Sequence, residues 1–466
     1  MPNADDDAVA AAADGSRSVI THDGFDTGSP RTARMSSKTT YLLFLGMGLA
    51  TLLPWNLFIS ASEFYQYQFA GSPRQHTFQN SFSVAYMVTN LVFNLYAMVT
   101  VTKSDPNARI LYGLVANTLM YLVGVVMPLM HDYRGTTSFH IVMIQLAVTA
   151  ASSGMLTNSL FALVVHFSPS HSEGILSGQA VAGLIATVAQ LVTAYSVQPS
   201  HSRDAFGSVQ GDLDGPPSGL IPRTIAYFAF AFIVNVLLTA AFCHVRRDPY
   251  YQQRSKLAYS PSAPGSDTEI ATETETETEQ LIRPSSATSI ASDIAAFKST
   301  FSQISGYSYV ILLDFALTLS VFPSVTAMVT STSGFTLLTE WHFFIYNIGD
   351  FLGRRFAPSL QITRVSSLLA IAFARLLFIP VFFACHVVFS VWYNWIRSDA
   401  LFLALVWLLG ATNGFLSTRS AMAAPRLCDQ PTIAGTIVAI SISTGLAIGS
   451  VLSWAVRMAG CLCSPL

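Results

Sequence analysis

The chain has 466 residues, of which 52% are hydrophobic and only 11% are charged, and its formal net charge is −2. Soluble proteins carry roughly 25% charged residues, and nearly half of the charges here fall within residues 1–38 and 245–302. The rest of the chain has too few charges to solvate a globular surface. The composition therefore indicates a bilayer as solvent and excludes a soluble enzyme, a secreted domain and a nucleic-acid-binding protein.

Apolar segments long enough to cross a bilayer recur along the chain. We predict eleven spanning helices, at residues 40–62, 78–102, 109–130, 138–166, 174–197, 223–244, 305–328, 337–357, 362–390, 398–422 and 433–460. The Lys and Arg residues favour a cytosolic N-terminus, because 17 of the 24 then lie on the cytosolic side and 6 on the opposite side. The predicted fold class is an all-α polytopic membrane protein.

Two polar segments divide the chain. The tail, residues 1–38, and the loop, residues 245–302, are rich in Ser, Thr and acidic residues and are predicted to be disordered and cytosolic. The loop separates six helices in residues 39–244 from five in residues 303–466. This 6 + 5 division is analogous to the two bundles of major-facilitator transporters, which hold substrate between their halves. A channel or a receptor with eleven helices remains an alternative.

The main cluster of polar groups inside a predicted span lies in residues 337–357. Asn347, Asp350 and Arg354 are spaced i, i+3 and i+7 and so share one helix face. Charges buried in lipid cost several kcal/mol unless they are paired or hydrated. A carboxylate that accepts and a guanidinium that donates can together bind vicinal hydroxyls. The alternatives are an internal ion pair or an Arg354 that reaches the cytosolic interface.

Two further segments offer candidate substrate contacts. Trp55 lies deep in the first span beside Pro54, which bends the helix, and presents a flat surface suited to a planar ring. An interfacial tryptophan is the alternative. Thr157 and Asn158 bring hydrogen-bonding groups into the fourth span, either for substrate or for helix packing.

A lone Arg375 lies within the ninth span and needs a partner. Asp314 in the seventh span is a candidate, and we predict a structural pair in preference to a direct substrate role.

Several classes of chemistry have no motif in this chain. It lacks the G-x-x-x-x-G-K-[ST] phosphate loop, the G-x-S-x-G elbow and a His/Glu metal pair, and its five cysteines show no zinc spacing. We therefore expect no cofactor, no metal site and no enzymatic activity, and transport that is secondary or passive.

Together these motifs resemble the equilibrative nucleoside transporters. The matching segments are Leu52–Asn56 with Phe64 and Tyr65, Asn158–Phe161, Ser177–Gln179 through Gly183, Val321–Pro323 with Val325 and Thr326, Asn347–Arg354, Ala374 and Arg375 with Ile379 and Pro380, Thr412–Phe415, Ala434 and Gly435, and Gly445–Gly449. The resemblance implies eleven spans, a cytosolic N-terminus and a large loop after the sixth span.

The resemblance also implies residue roles. Trp55 would line the central cavity near the base, Asp350 and Arg354 would engage the sugar hydroxyls, and Asn347 would lie on the same face. This chain departs from the family at Thr157, where the family often has Gln, and Asn158 stands next to it. The shorter side chain leaves the preference for purine or pyrimidine open.

The function implied by the resemblance is facilitative transport of nucleosides, with nucleobases as a further substrate class, by alternating access. A proton-coupled carrier is the alternative, since Asp314, Glu340, His342 and Asp350 could titrate. A channel or receptor that moves no solute is a third hypothesis.

A sorting motif is predicted in the long loop. Glu277, Leu281 and Ile282 fit the acidic-dileucine pattern that adaptor proteins recognise in flexible cytosolic segments, although so short a motif also arises by chance. We expect a plasma-membrane protein, with a vacuolar or endolysosomal membrane as the alternative.

Overall fold

The computed structural model describes residues 37–75, 78–101, 103–130, 134–196, 219–259, 286–360, 362, 364–387 and 394–460. Fourteen α-helices lie in these residues: α1 Ser37–Ser60, α2 Ser62–Gln68, α3 Phe78–Val99, α4 Pro106–Val126, α5 Thr136–Val164, α6 Pro169–Ser196, α7 Leu220–Val245, α8 Pro249–Tyr259, α9 Ser286–Val321, α10 Leu338–Phe356, α11 Val365–Ala374, α12 Phe378–Phe383, α13 Asp399–Ala423 and α14 Pro431–Gly460. A 3₁₀ turn, Arg375–Leu377, joins α11 to α12 within one predicted span.

The long helices form two bundles. In the N-terminal bundle, α1 packs on α6, α5 packs on α3 and α4, and α7 packs on α4 and α1. In the C-terminal bundle, α9 packs on α14 and α13, and α10 packs on α13. The bundles meet where α6 contacts α10 and where α14 contacts α3 and α5. This arrangement agrees with the predicted two-bundle architecture.

The length and apolar character of the helices do not confirm the predicted count of eleven spans. Ten helices among the described residues are long and apolar enough to cross a membrane. The predicted span 337–357 forms helix α10, which is 19 residues long but carries Glu340, Asp350, Arg354 and Arg355. Its charged residues lower its hydropathy, and two of them, Asp350 and Arg354, are buried against neighbouring helices.

The prediction of a disordered loop over residues 245–302 is wrong at both of its ends. Residues 249–259 form α8, whose first turn is capped by Asp248 accepting from the Tyr250 amide at 2.9 Å. Tyr251 and Ser255 are buried on one face of α8 and bond Asn107 at the start of α4, at 2.9 and 2.6 Å. The Ser/Thr-rich composition hid this short amphipathic face.

The other end of that segment belongs to α9, which begins at Ser286, ahead of the predicted start of the C-terminal bundle at residue 303. Residues 260–285, including the predicted sorting motif, and residues 1–36 of the predicted tail lie outside the described residues.

Candidate functional site

The candidate site is centred on α10, which lies between α6 of the N-terminal bundle and α13 of the C-terminal bundle. Glycines on both helices bring α10 and α13 together. A Cβ atom at Gly349 or Gly353 would collide with α13 backbone, and one at Gly410 or Gly414 would collide with α10 backbone. Two small-xxx-small pairs therefore face each other, an arrangement that allows close approach of membrane helices. This contact places the polar residues of α13 directly beside Asp350.

Asp350 and Arg354 form an ion pair one helical turn apart. Arg354 Nε donates to Asp350 Oδ2 at 2.8 Å, and Arg354 and Asp350 are only 3% and 5% exposed, respectively. Asn413 on α13 donates from Nδ2 to the other carboxylate oxygen, Oδ1, at 2.7 Å. The Nη1 atom of Arg354 is buried and has no hydrogen-bond partner. A buried cationic donor without a partner is costly, and Nη1 remains available to donate to a further acceptor.

Asn347 lies on the same helix at the contact with the N-terminal bundle. Its Nδ2 donates to the Phe343 carbonyl at 2.9 Å, and its Oδ1 points at Gly183 on α6, where a Cβ atom would collide with it. Asn347 therefore lies where the two bundles touch, three residues from Asp350.

Trp55 is half-buried on α1 and packs against Tyr86 of α3, with ring centroids 5.0 Å apart. One turn before it on α1, Thr51 accepts from Gln179 Nε2 of α6 at 3.2 Å. Gln179 in turn lies one turn before Gly183, which faces Asn347. Helix α6 thus runs between the surroundings of Trp55 and those of Asp350.

Thr157 and Asn158 are both buried on α5, and Asn158 lies at the contact of α5 with α3 and α14. Asn158 is fully buried, and its Nδ2 donates to Asn94 Oδ1 at 2.8 Å. Asn94 donates to Ser443 of α14 at 2.8 Å, so this amide cluster joins the two bundles. The amide nitrogen of Asn158 is therefore engaged in helix packing, and a substrate contact by Thr157 or Asn158 remains a prediction.

Arg375 and Asp314 pair with each other in the interior of the C-terminal bundle. The two side chains form an ion pair and are 2% and 0% exposed. Arg375 Nη2 also donates to Thr318 Oγ1 at 2.7 Å and to the Leu409 carbonyl at 3.2 Å. The Thr318 hydroxyl donates to Asn413 Oδ1 at 2.8 Å. A continuous chain of hydrogen bonds therefore joins Arg375 to Asp350.

Sequence reasoning assigned no role to Thr318 or Asn413. Asn413 falls in Thr412–Phe415, one of the segments that carry the family resemblance, and Thr318 is one turn beyond Asp314. The only sequence signal for either residue was a polar side chain within an apolar helix, where such groups require partners.

Side-chain contacts join the two bundles at both ends of the helices. At one end, His166 Nε2 lies 2.7 Å from Thr432 Oγ1 at the start of α14. Burial, followed by the nearby Arg254 guanidinium, lowers the pKa of His166 to about 4, so the ring is neutral near pH 7. At the other end, Trp341 Nε1 donates to Tyr195 Oη at 3.2 Å. Asn347, Asp350 and Arg354 of α10 lie between the His166–Thr432 contact and the Trp341–Tyr195 contact.

No cluster of three or more His, Cys, Asp or Glu side chains suited to a metal ion occurs among the described residues.

Two bundles of long apolar helices that meet around buried polar groups define the class of this protein as a polytopic all-α membrane protein. The fold is similar to that of the human organic anion transporter MFSD10 (TETRAN), with a TM-score of 0.54 at 15% identity over 90% of this chain and 94% of that chain. The fold class of two bundles in a major-facilitator-like arrangement is confirmed.

The sequence model of the family described as nucleoside transporter matches residues 143–458, well over half of the chain. The chain therefore belongs to the nucleoside transporter family. It is 27% identical to human equilibrative nucleoside transporter 2, over 88% of this chain and 95% of that protein. It is 24% identical to equilibrative nucleotide transporter 1 of Arabidopsis thaliana, over 89% of this chain and 85% of that protein.

Proposed function

We propose that this chain carries nucleosides across a membrane by facilitative transport, and that the Asp350–Arg354 pair binds the sugar hydroxyls. Family membership supports the substrate class, and the names of the curated relatives support the equilibrative mode. The observation that carries the residue assignment is the buried, unpartnered Nη1 of Arg354.

The pair is suited to a vicinal diol. Arg354 Nη1 would donate to one hydroxyl oxygen, and an Asp350 oxygen would accept from the neighbouring hydroxyl. Each Asp350 oxygen already accepts one hydrogen bond, but a carboxylate offers about four lone-pair sites. The ion pair therefore does not have to break when the substrate binds.

Alternating access requires the two bundles to separate at one end of the helices while they close at the other. The His166–Thr432 and Trp341–Tyr195 contacts are located where such separation would occur. The contact of Asn347 with Gly183 lies between them, so its geometry would change as the bundles move relative to each other.

The proton-coupled alternative is not favoured. The curated relatives are named equilibrative transporters, and Asp314 and Asp350 are each paired with an arginine. The test is uptake of labelled adenosine and uridine into proteoliposomes, with and without an ionophore that collapses a pH gradient. Saturable uptake that either nucleoside inhibits, and that the ionophore leaves unchanged, supports facilitative transport. Uptake that does not saturate would indicate a channel, and ionophore-sensitive accumulation would indicate proton coupling.

Replacing Trp55 with alanine is expected to weaken nucleoside affinity about 5- to 150-fold, because stacking of a base on an aromatic ring contributes about 1–3 kcal/mol. Trp55→Phe should be milder, since it keeps a ring. The measurement is the inhibition constant of unlabelled adenosine in the uptake assay. Trp407→Ala, at an exposed tryptophan of α13, is the control. Equal affinity in wild type and Trp55→Ala would assign Trp55 to packing alone.

The protein is an integral multi-pass membrane protein, and we propose the plasma membrane as its location, with an endolysosomal or vacuolar membrane as the alternative. Glu277, Leu281 and Ile282 would bind a sorting adaptor. The motif would hold part of the protein on internal membranes, and replacing Leu281 and Ile282 together with alanine is expected to move that fraction of a fluorescently tagged protein to the cell surface. An unchanged distribution would remove the sorting motif without affecting the transport assignment.

A further inference from the structure

The carboxylate of Asp350 is held from outside its own helix. Asn413 Nδ2 lies 2.7 Å from Asp350 Oδ1, and both residues are buried. An ionised carboxylate can only accept hydrogen bonds, so the Asn413 amide must present its nitrogen to Asp350 and its oxygen to α9. The orientation of Asn413 is therefore determined by its neighbours on two helices.

The α9 partner of that oxygen is Thr318, whose Oγ1 is 2.8 Å from Asn413 Oδ1. The same hydroxyl accepts from Arg375 Nη2 at 2.7 Å, and its single proton is shared between Asn413 and the main-chain carbonyl of Asp314, also at 2.8 Å. Since the Arg375 donor occupies a lone pair of Thr318, the threonine proton points toward these acceptors. The buried Asp314–Arg375 ion pair thus anchors one end of the chain of bonds.

We propose that Asn413 is a positioning residue for substrate binding, which holds Asp350 and, through it, Arg354 in the geometry that leaves Arg354 Nη1 available to a hydroxyl. Thr318 and Arg375 hold Asn413 in turn. The proposal rests on the proposed function of the Asp350–Arg354 pair. It also gives the buried Asp314–Arg375 ion pair a second role. A change in the position of Arg375 would be transmitted to Asp350 through the neutral side chains of Thr318 and Asn413.

The substitution Asn413→Asp distinguishes positioning from simple packing. It is nearly isosteric and places a second carboxylate at hydrogen-bond distance from Asp350. Two carboxylates so close share one proton when they can bind it, and repel each other when they cannot. The charged and titratable groups near this pair are Arg354 and Tyr346 on α10, and Asp314 with Arg375 behind Thr318. Helix α6 has no acidic or basic residue between Gly174 and Gln190.

The experiment measures adenosine uptake by full-length protein in proteoliposomes, with the same pH on both sides so that no proton gradient contributes. At pH 7.5, Asn413→Asp is expected to raise the KM for adenosine about tenfold or more, the loss typical of a hydrogen bond to a charged group. Near pH 5.5 the shared proton restores the bond, and the KM is expected to return toward that of wild type. Wild type should show no such activation by acid.

Two further variants complete the test. Ser417→Ala, one turn along α13, removes only bonds to the main-chain carbonyls of Asn413 and Gly414 and is expected to leave the KM unchanged. Thr318→Val should raise the KM severalfold at every pH. If Asn413→Asp does not fold, this variant tests the proposal in its place. A uniform loss of maximal rate in Asn413→Asp at all pH values, or a wild-type KM in Thr318→Val, would overturn the proposal. Failure of the proposed function itself would appear instead as absence of saturable nucleoside uptake in wild type.

Discussion

Arg354→Ala is expected to reduce saturable nucleoside uptake to near background while the protein still folds. The substitution removes the unpartnered Nη1 donor and leaves Asp350 without the Nε bond at 2.8 Å. Truncating one partner of a buried, hydrogen-bonded charge pair costs about 2–5 kcal/mol in binding, which corresponds to a loss of about 30- to 5,000-fold in affinity. Asp350→Asn should have an effect of the same order, because the amide cannot replace the charge opposite Arg354.

The adjacent arginine provides a matched control. Arg355 follows Arg354 in α10 but is exposed, so Arg355→Ala removes the same charge without touching the pair and should transport normally. Uptake is measured in proteoliposomes, and folding is monitored by size-exclusion chromatography and thermal stability in detergent. Near-normal uptake by Arg354→Ala, or an equal defect in Arg355→Ala, would show that the pair does not bind substrate.

Arg375→Ala is expected to cause the largest loss of stability among single substitutions in the C-terminal bundle. It leaves the fully buried Asp314 carboxylate unpaired and removes the bonds to Thr318 and the Leu409 carbonyl. Removing one partner of a buried ion pair costs about 3–5 kcal/mol. The expected result is a large fall in expression and in the thermal midpoint of the detergent-solubilised protein.

A double substitution distinguishes the stability lost through the unpaired charge from the stability lost through packing. Replacing Arg375 with Met and Asp314 with Leu removes both charges together, and apolar replacements of a buried pair are often neutral or stabilising. The double variant should recover most of the thermal stability lost by Arg375→Ala. If Arg375→Ala is as stable as wild type, the pair does not stabilise the bundle; if the double variant is as unstable as the single one, the loss arises from packing and not from the unpaired charge.

The sequence predicted much of the fold because lipid imposes a simple rule. A spanning segment must be helical and mostly apolar, and ten such helices occur among the described residues. Helix α10 was also predicted at nearly its observed bounds, although its charged residues make it less apolar than the other ten. Two of these charges, Asp350 and Arg354, are tolerated because they are buried against protein and not against lipid. Helix α8 was missed, because it is only eleven residues long and lies in a polar segment, so that its one buried face gives no strong periodic pattern.

The candidate site was only partly predictable. Spacing along α10 is a local property, so the sequence by itself places Asn347, Asp350 and Arg354 on one helix face. Asn413 could not be assigned, because it reaches Asp350 from a helix about 60 positions later, and sequence carries no record of which helices touch. Asn158 illustrates the converse, since its amide is used by Asn94 on a neighbouring helix.

The sequence alone determined the solvent, the class of fold and the polar face of α10, because each follows from composition or from periodicity within one helix. Tertiary structure alone decided which partners those polar groups have. The close approach of α10 and α13 depends on glycines from both helices meeting in register. The bonds from Arg375 through Thr318 and Asn413 to Asp350 exist only once α9, α10 and α13 pack together. Buried polar groups must be satisfied wherever they meet, and the packing of the helices determines where that is.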